Sequence, residues 1–432
     1  MLLIVAGMIA LAMPVSIHAQ DEAPLVLVLT AEGPITPAMQ EYLSRGLEIA
    51  QKRGAELVVF ELNTPGGSVT LMSEMVKQIR ASTVPVVVYI SPRGGMAASA
   101  GTVITLAGHA AAMAPETAIG AASPVSAEGE DLGETMEAKE KEILKAQVRA
   151  LAKDRGEAAV ALAEETIQSA KAVSVGEALN IGLVDFEAAS LDDLLNQLDG
   201  FRVKILSGEK ILNTTNAVVE RVPQSFIERF LHTLTDPNIV FLLITIGVQA
   251  ILIEISSPGG WIAGFIGVVC LALATYGLGI ISVNWFGLIF LATSFVLFLL
   301  DIKAPTHGAL TAAGIVSLII GSLVLFNTSR TPSFFNVSVP LVVGTSIITG
   351  GIFFAIMLFA IRAQKSPIRT GRESIIGKVG ITRSPLNPNG EVQVGGELWS
   401  AKLESGSDYL PEGAMVKVIA IDGIRLVVRE EK

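Results

Sequence analysis

The stretch VPVVVYISPRGGMAASAGT, residues 84–102, decides the fold of the N-terminal part of this chain. It opens with an apolar run at 84–90 that is typical of a buried strand. A glycine-bearing turn follows, and then a run of small residues that we predict to be helical from Met96 to Gly108. A strand, a turn and a helix in this order form the repeating unit of a parallel sheet.

The same alternation continues on both sides of this stretch. Further apolar runs predict strands, and runs with helical periodicity predict helices between them. Because strands and helices of this length alternate, we expect a domain of the α/β class with a buried parallel sheet over residues 20–225. The predicted strands are 25–29, 57–62 and 110–113; the predicted helices are 37–53, 69–81, 134–154 and 157–168; and 173–185 is typical of a helix, a turn and a strand.

Two glycine-bearing turns follow strand ends, which is where open α/β sheets place their sites. The first, NTPGGS at 63–68, holds the pair Gly66 and Gly67. Paired glycines let backbone amides approach a ligand and could form an oxyanion hole. A plain strand-to-helix turn explains the same residues. A phosphate-binding loop is excluded because no Gly-Lys-Ser/Thr follows.

The second turn leads to Ser99, which we expect in the first turn of the small-residue helix. There it could be a nucleophile, since a helix N-terminus stabilises developing negative charge. It could equally be a core serine bonded to its own backbone. His109 would lie about 15 Å away along a continuous helix, too far to act as a base. A lysine is the remaining base. The candidate lysines on the predicted helix 134–154 are Lys139, Lys141 and Lys145. Each of them could also be a solvated surface charge.

A second part of the chain is predicted to lie in a membrane. Of the 432 residues, 51% are hydrophobic and only 17% are charged, with a mean hydropathy of +0.58. Residues 239–361 hold just Glu254, Asp301, Lys303 and Arg330 as charged residues. Spanning helices need about 17–25 apolar residues, so we expect about five helices. The short third segment could form a re-entrant hairpin with the second; the five segments are 239–255, 260–281, 285–300, 308–326 and 339–361.

The flanking residues predict the topology. Residues 1–19 are apolar and end in a small residue, which predicts a signal peptide, with an uncleaved anchor as the alternative. Four basic residues follow the last apolar segment and favour a cytoplasmic C-terminus. With five spans, residues 20–225 then lie outside the cytoplasm. We expect a multi-pass protein of the cell (inner) membrane, in contact with the lipid bilayer; the basic residues are Arg362, Lys365, Arg369 and Arg372.

Several functional classes are disfavoured. The net charge of −10 is unsuited to nucleic acid, because phosphate contacts need an excess of Lys and Arg. Four histidines and one cysteine, Cys270, leave little for a metal site, and we expect no cofactor. A transporter would usually carry paired charges in its spans. Residues 374–432 contain five short predicted strands, which favour a small barrel that acts as a protein-interaction module.

The motifs together resemble the long-form NfeD family of membrane proteins, which carry a ClpP-like serine protease domain. The resemblance rests on TPGG at 64–67, AASAGT at 97–102 and HAAAMAP at 109–115, in this order. DIKAPTHG at 301–308 is similar to the family's intramembrane signature. The tail, with GKVG at 377–380 and GELW at 396–399, is similar to its OB-type domain. The resemblance implies a ClpP/crotonase-like α/β domain, an all-α membrane region and an all-β barrel.

The resemblance also implies site residues and partners. Ser99 matches the nucleophile, and Lys139 takes the base position about eleven residues before Ala150-Leu151-Ala152, with Lys141 and Lys145 as alternatives. Gly66, Gly67 and the Ala100 amide match the oxyanion hole. The implied activity is cleavage of hydrophobic segments of stomatin- or flotillin-like (SPFH) membrane proteins by a homo-oligomer. The rival hypothesis is a scaffold that organises such assemblies, with a weak or inactive protease domain.

Overall fold

The computed structural model describes residues 23–124, 133–256, 260–280, 283–304, 306–326, 337–364, 372–405 and 409–431. The predicted signal peptide, residues 1–19, lies outside them. The chain divides into two compact units, Met1–Gly351 and Ile352–Lys432, with the boundary inside the last apolar helix.

The first unit is built on a six-stranded sheet whose order is β11-β1-β2-β3-β5-β8, with every neighbouring pair parallel. Both faces of the sheet are covered, so its strands are nearly continuous hydrophobic runs. The strands are β1 Leu25–Glu32, β2 Leu57–Asn63, β3 Val86–Ile90, β5 Ala110–Met113, β8 Phe186–Glu187 and β11 Val218–Arg221.

Alternate residues of the central strands feed two separate cores. Leu27 and Phe60 pack under the larger helices, and Val26 and Val59 pack on the other face. This is the period-two pattern of a strand buried on both sides. Seven helices cover the sheet and its edges: α1 Pro37–Lys52, α2 Val69–Ala81, α3 Ala100–Ala107, α4 Glu134–Ala152, α5 Glu157–Gln168, α6 Val175–Ile181 and α7 Leu191–Leu198. The α/β fold class is thereby confirmed.

A small second sheet corrects one sequence prediction. Residues predicted to begin a helix at Met96 instead form strand β4, Met96–Ala98, and helix α3 starts only at Ala100. Strand β4 pairs in parallel with β6, Ala118–Gly120, which pairs antiparallel with β7, Ala172–Ser174. A non-local partner therefore overrides the local preference of alanine for helix. A two-stranded hairpin, β9 Arg202–Ile205 and β10 Gly208–Ile211, completes the domain.

Six more α-helices follow in the described part of the chain. Helix α8, Phe226–Thr233, precedes five apolar helices that are arranged partly as two hairpins. Helix α9, Pro237–Ser256, packs along α10, Ile262–Leu278, and α11, Trp285–Lys303, packs along α12, Ala309–Leu325. The third apolar segment therefore pairs with the fourth. The expectation of a re-entrant pair with the second segment is wrong. The last apolar helix is α13, Val339–Gln364.

The two hairpins have the same construction. The number of residues from Glu254 to Asp301 is the same as the number from Ile262 to Ala309, the first residues of α10 and α12. Each acid therefore has the same position relative to the second helix of its hairpin. Each acid lies in the last turn of the first helix and accepts hydrogen bonds at the start of the second. Glu254 accepts from the amides of Trp261 (3.1 Å) and Gly264 (3.2 Å). A carboxylate in this position satisfies helix N-terminal amides that lipid could not.

Asp301 makes the corresponding cap in the second hairpin and is only 1% exposed. It accepts from the Thr311 amide (3.2 Å) and from the hydroxyls of Thr306 and Thr311. Asp301 and Thr306, the described ends of this motif's turn, are therefore joined by the cap at the start of α12.

Among the residues that the structure describes, three of the five apolar helices are long enough to cross a bilayer: Pro237–Ile255, Trp285–Lys303 and Val339–Phe359. The other two, α10 and α12, are each 17 residues long. Glycines of the apolar helices lie where partner helices come close. A Cβ at Gly287 would meet Leu325 Cα at 2.3 Å, and one at Gly314 would meet the Phe298 ring at 2.6 Å. Small residues allow this close packing in lipid.

The second unit contains a closed five-stranded barrel whose strand order is β12-β13-β14-β16-β15. Buried aliphatic residues such as Val392, Val416 and Leu426 fill its interior. The predicted small all-β domain is confirmed. Its strands are β12 Val379–Thr382, β13 Asn389–Val394, β14 Glu397–Leu403, β15 Met415–Asp422 and β16 Arg425–Glu430.

Candidate active site

Ser99 occupies a strained junction between strand β4 and helix α3. Its backbone has φ 52° and ψ −119°, a region that residues other than glycine rarely adopt. Such strain costs about 1–3 kcal/mol and persists only where the surroundings impose it. The sequence prediction placed Ser99 inside the first helical turn, whereas the structure makes it the residue just before the helix. The side chain therefore projects from a sharp strand-to-helix turn and is half-buried.

Hydrogen bonds to strand β6 hold this turn in place. The Ser99 amide donates to the Gly120 carbonyl oxygen at 2.9 Å. The Thr102 hydroxyl lies 2.9 Å from the Ala97 carbonyl oxygen and 3.0 Å from that of Gly120, and it accepts the Gly120 amide at 3.1 Å. Thr102 is thus a positioning residue that the sequence analysis missed. Its signal in the sequence is a hydroxyl three residues after the serine, at the start of a helix of small residues.

The turn at 64–68 lies directly against Ser99. A Cβ built on Gly66 would be 2.5 Å from Ser99 Cβ and 3.0 Å from its Oγ. Gly67 is equally confined, since its Cβ would be 2.7 Å from the Ile35 carbonyl oxygen. Both glycines have positive φ, 112° and 154°. The structure therefore brings together two of the predicted elements, the serine and the glycine turn, from strand ends separated in sequence.

The amides of this turn have different environments. The Gly66 amide donates to the Thr64 hydroxyl at 3.1 Å, so its proton is already engaged. Within the described ranges, no internal hydrogen bond is made by the amide of Gly67 or by that of Ala100, the first residue of helix α3. An amide at a helix N-terminus has no intrahelical partner and suits an anion. Of the three predicted oxyanion-hole residues, Gly67 and Ala100 therefore have amides without an internal partner in the described ranges, and Gly66 does not.

His109 cannot assist Ser99. It follows the far end of helix α3, about 12 Å along its axis. Its Nδ1 accepts the Val86 amide at 3.0 Å. Burial, reinforced by the charge of Arg80, lowers the pKa of His109 to about 4. The imidazole is thus a neutral structural group at the start of strand β3.

The three candidate lysines lie on helix α4 and face different ways. Leu144 and Val148 are buried on its core side. Lys139 precedes Val148 by about two and a half turns and so lies on the opposite side, exposed to solvent. In the described part of the chain, no hydrogen bond joins Ser99 Oγ to a lysine, so the structure does not bring Lys139 and Ser99 together.

Lys141 and Lys145 lie nearer the core side and are paired. Lys141 Nζ lies 2.6 Å from Glu137 Oε1, and Lys145 Nζ lies 2.9 Å from Glu142 Oε1. Lys139 instead lines a wide, mainly apolar depression together with Thr135, Ala138, Glu142 and Ile143. Ile143 is 67% exposed there, and the neighbouring Met136 is 55% exposed.

Comparison with known families covers nearly the whole chain. Residues 25–205 match the N-terminal domain of NfeD1b, 238–359 match the NfeD integral membrane domain, and 372–430 match the NfeD-like C-terminal, partner-binding domain. The membrane-bound protease PH1510 of Pyrococcus horikoshii is 34% identical over 418 residues, which are 94% of each chain.

Solved structures are also similar. One is a lysine-to-alanine variant of 1510-N, a membrane-bound stomatin-specific protease, in complex with a substrate peptide. It is 32% identical, with a TM-score of 0.46, and covers 49% of this chain and 97% of that chain. ClpP1 from Listeria monocytogenes is 20% identical, with a TM-score of 0.32, over 39% of this chain and 94% of that chain.

Proposed function

Because this chain belongs to the NfeD family, with a ClpP-like protease domain, we propose that it is a membrane-anchored serine endopeptidase in which Ser99 is the nucleophile. The observation that carries the proposal is the geometry at Ser99. A strained serine lies against the glycine turn at Gly66, and in the described part of the chain the amides of Gly67, in the same turn, and of Ala100, the next residue after the serine, make no internal hydrogen bond. A plain core serine would need neither the strain nor the close contact.

The proposed reaction begins with attack of Ser99 Oγ on the scissile carbonyl carbon while its proton passes to a neutral lysine amine. The carbonyl oxygen becomes an oxyanion and accepts hydrogen bonds from the Gly67 and Ala100 amides. The lysine then returns the proton to the leaving amine, and the peptide bond breaks. Water hydrolyses the acyl-enzyme by the same route. We assign Gly66 the role of supporting the turn, since its own amide is bound to Thr64.

Lys139 is our proposed base, with Lys141 and Lys145 as alternatives. Lys139 is the residue that holds the family position, although its side chain is exposed. A lysine amine accepts a proton only in its neutral form. It becomes a base only if it is desolvated. Because Met136 and Ile143 flank Lys139, an apolar substrate segment laid along this face would exclude water from the amine.

We propose hydrophobic segments of stomatin- or flotillin-like membrane proteins as the substrates. Two observations support this proposal. The chain is similar to a stomatin-specific protease that was solved in complex with a substrate peptide, and the surroundings of Lys139 are apolar. We further propose that residues 20–225 lie outside the cytoplasm of the cell membrane, that the C-terminal barrel lies inside, and that the protein acts as a homo-oligomer.

A scaffold with an inactive protease domain is the second candidate function. The position of Lys139 on the solvent side of α4, opposite the core, favours this candidate. The two functions are separated by cleavage of a panel of hydrophobic peptides by the full chain in lipid nanodiscs. Ser99→Ala and Lys139→Ala should each abolish most turnover, and the double variant should be little worse, because the pair acts as a unit.

Lys141→Ala and Lys145→Ala are the matched controls on the same helix and should retain activity. A normal Lys139→Ala beside an inactive Lys141→Ala would move the base to Lys141. Cleavage that survives in Ser99→Ala would refute the protease function and leave the scaffold.

A further inference from the structure

Helix α8 presents an apolar face that nothing in the described chain covers. Phe226 is 82% exposed, Ile227 is 67% exposed and Phe230 is 43% exposed. The rings of Phe226 and Phe230 stack with centroids 6.3 Å apart, so the face is a continuous aromatic surface. Isolated exposed apolar residues are normal, but three on one short helix indicate a contact surface.

The other side of α8 is bound firmly to the N-terminal domain. Glu228 is only 5% exposed and accepts two hydrogen bonds from Arg45, one from Nε at 2.8 Å and one from Nη2 at 2.7 Å. Ser225 and Glu228 also form a reciprocal cap, with the Ser225 amide donating to Glu228 Oε2 at 2.7 Å and the Glu228 amide donating to Ser225 Oγ at 3.2 Å. The helix is therefore a rigid part of the domain surface.

The place of α8 along the chain indicates what covers its face. It ends at Thr233, and the first membrane-spanning helix starts at Pro237. The linker of three residues reaches at most about 10 Å. The Leu234 carbonyl oxygen in this linker also lies near Gly277 of α10, since a Cβ there would be 2.4 Å from it. The aromatic face is thus held at the end of the membrane helices.

We propose that α8 lies in the interfacial layer of the bilayer, with Phe226, Ile227 and Phe230 inserted at the boundary between headgroups and acyl chains. Aromatic and aliphatic residues on one face and polar residues on the other are the pattern of interfacial helices. Arg229 is exposed, and a guanidinium at this depth pairs with lipid phosphate. Direct continuity with a spanning helix favours lipid over a second protein chain as the occupant.

This interfacial position of α8 orients the whole N-terminal domain relative to the bilayer. The ring of His232 in α8 packs against Gly33, just beyond β1, at 3.2 Å from a Cβ built there. The Gly33 amide donates to the Asn63 carbonyl oxygen at 2.9 Å, and Asn63 leads directly into the turn that contains Gly66 and Gly67. Helix α8 therefore lies at the carboxyl end of β1 and β2, where the glycine turn that contacts Ser99 begins, and the proposed interfacial position turns this end of the sheet towards the bilayer surface.

Site-specific labelling of the full chain tests the proposed interfacial position of α8. The lone cysteine is removed by Cys270→Ser, and single cysteines are introduced by Phe226→Cys or Phe230→Cys and labelled with an environment-sensitive fluorophore. The control is Leu206→Cys. Leu206 is 72% exposed in the hairpin whose Lys210 reaches the Glu56 carbonyl oxygen, just before β2 and so at the opposite end of the sheet. Chains are reconstituted in phosphatidylcholine–phosphatidylglycerol vesicles.

We expect nitroxide-labelled lipids to quench the probes at 226 and 230 several-fold more than the probe at 206, and aqueous iodide to quench them less. Equal accessibility to iodide at all three positions would overturn the proposal. Protection from both quenchers at 226 and 230 would also overturn it, because it would show a second protein chain on this face. Neither result depends on peptidase activity. The experiment therefore distinguishes an error in the proposed position of α8 from an error in the proposed function.

Discussion

Replacement of Gly66 by alanine tests the contact that joins the glycine turn to Ser99. The new Cβ would lie 2.5 Å from Ser99 Cβ, 3.0 Å from its Oγ and 3.2 Å from the Ala98 carbonyl oxygen. Non-bonded carbon atoms settle at about 3.5–4.0 Å, so the turn and the serine must separate by about 1 Å. None of these atoms is the end of a long flexible side chain, and Ser99 itself must therefore move.

Two costs follow from this geometry. A misplacement of about 1 Å in catalytic groups lowers the rate about a hundredfold, which corresponds to about 2.7 kcal/mol of transition-state stabilisation. The backbone adds a second cost, because Gly66 has φ +112° and a side chain there is strained by about 1–3 kcal/mol. We expect Gly66→Ala to lower both the free energy of unfolding and kcat/KM.

Gly94→Ala separates these two costs. Gly94 also has positive φ, +77°, but no atom lies within 4 Å of its added Cβ. This variant should therefore lose stability and keep most of its activity. The assay combines urea unfolding of the full chain in detergent with kcat/KM for a hydrophobic peptide. If Gly66→Ala cleaves the peptide as well as Gly94→Ala does, the turn does not border the reacting group and the reasoning is refuted.

Three further predictions concern the rest of the molecule. Asp301→Ala should destabilise the α11–α12 hairpin by about 1.5–3 kcal/mol, because Thr311 loses a charged acceptor; Lys303→Ala is the exposed control, and equal melting temperatures in detergent would contradict the cap. His109 has its pKa lowered to about 4 by burial, so the unfolded chain binds the proton more tightly. Stability should be complete above about pH 6.5 and fall by up to about 3 kcal/mol towards pH 4. Urea titrations of His109→Gln should lack this dependence, and an unchanged slope would show that another group titrates. Reporters fused after residue 225 and after residue 432 should lie on opposite sides of the membrane, and the same side for both would exclude an odd number of spans.

The sequence alone determined the elements whose signals are local. The predicted helices at 69–81 and 157–168 agree with α2 and α5, and the apolar runs at 57–62 and 110–113 agree with β2 and β5. These patterns survive because each element packs with the same periodicity that its sequence shows. The five apolar segments and the five-stranded barrel were predictable for the same reason, as was the family, through its ordered motifs.

The tertiary structure decided the features that depend on distant partners. Met96–Ala98 became a strand because β6 pairs with it, and this pairing placed Ser99 at a strained turn. The Thr64 hydroxyl accepts the Gly66 amide, whereas in the described ranges the Gly67 and Ala100 amides make no internal hydrogen bond. The sequence order of the lysines did not reveal that Lys139 faces away from the core.

Glu254 and Asp301 show the same limit within the membrane region. In the sequence they are isolated acids in apolar segments, whereas in the fold each caps the helix that follows it. An acid's role depends on which amides a turn places beside it, and that placement results from the packing of two helices. Residue types and their periodicity therefore determined what could form here, and contacts between distant segments decided which atoms meet.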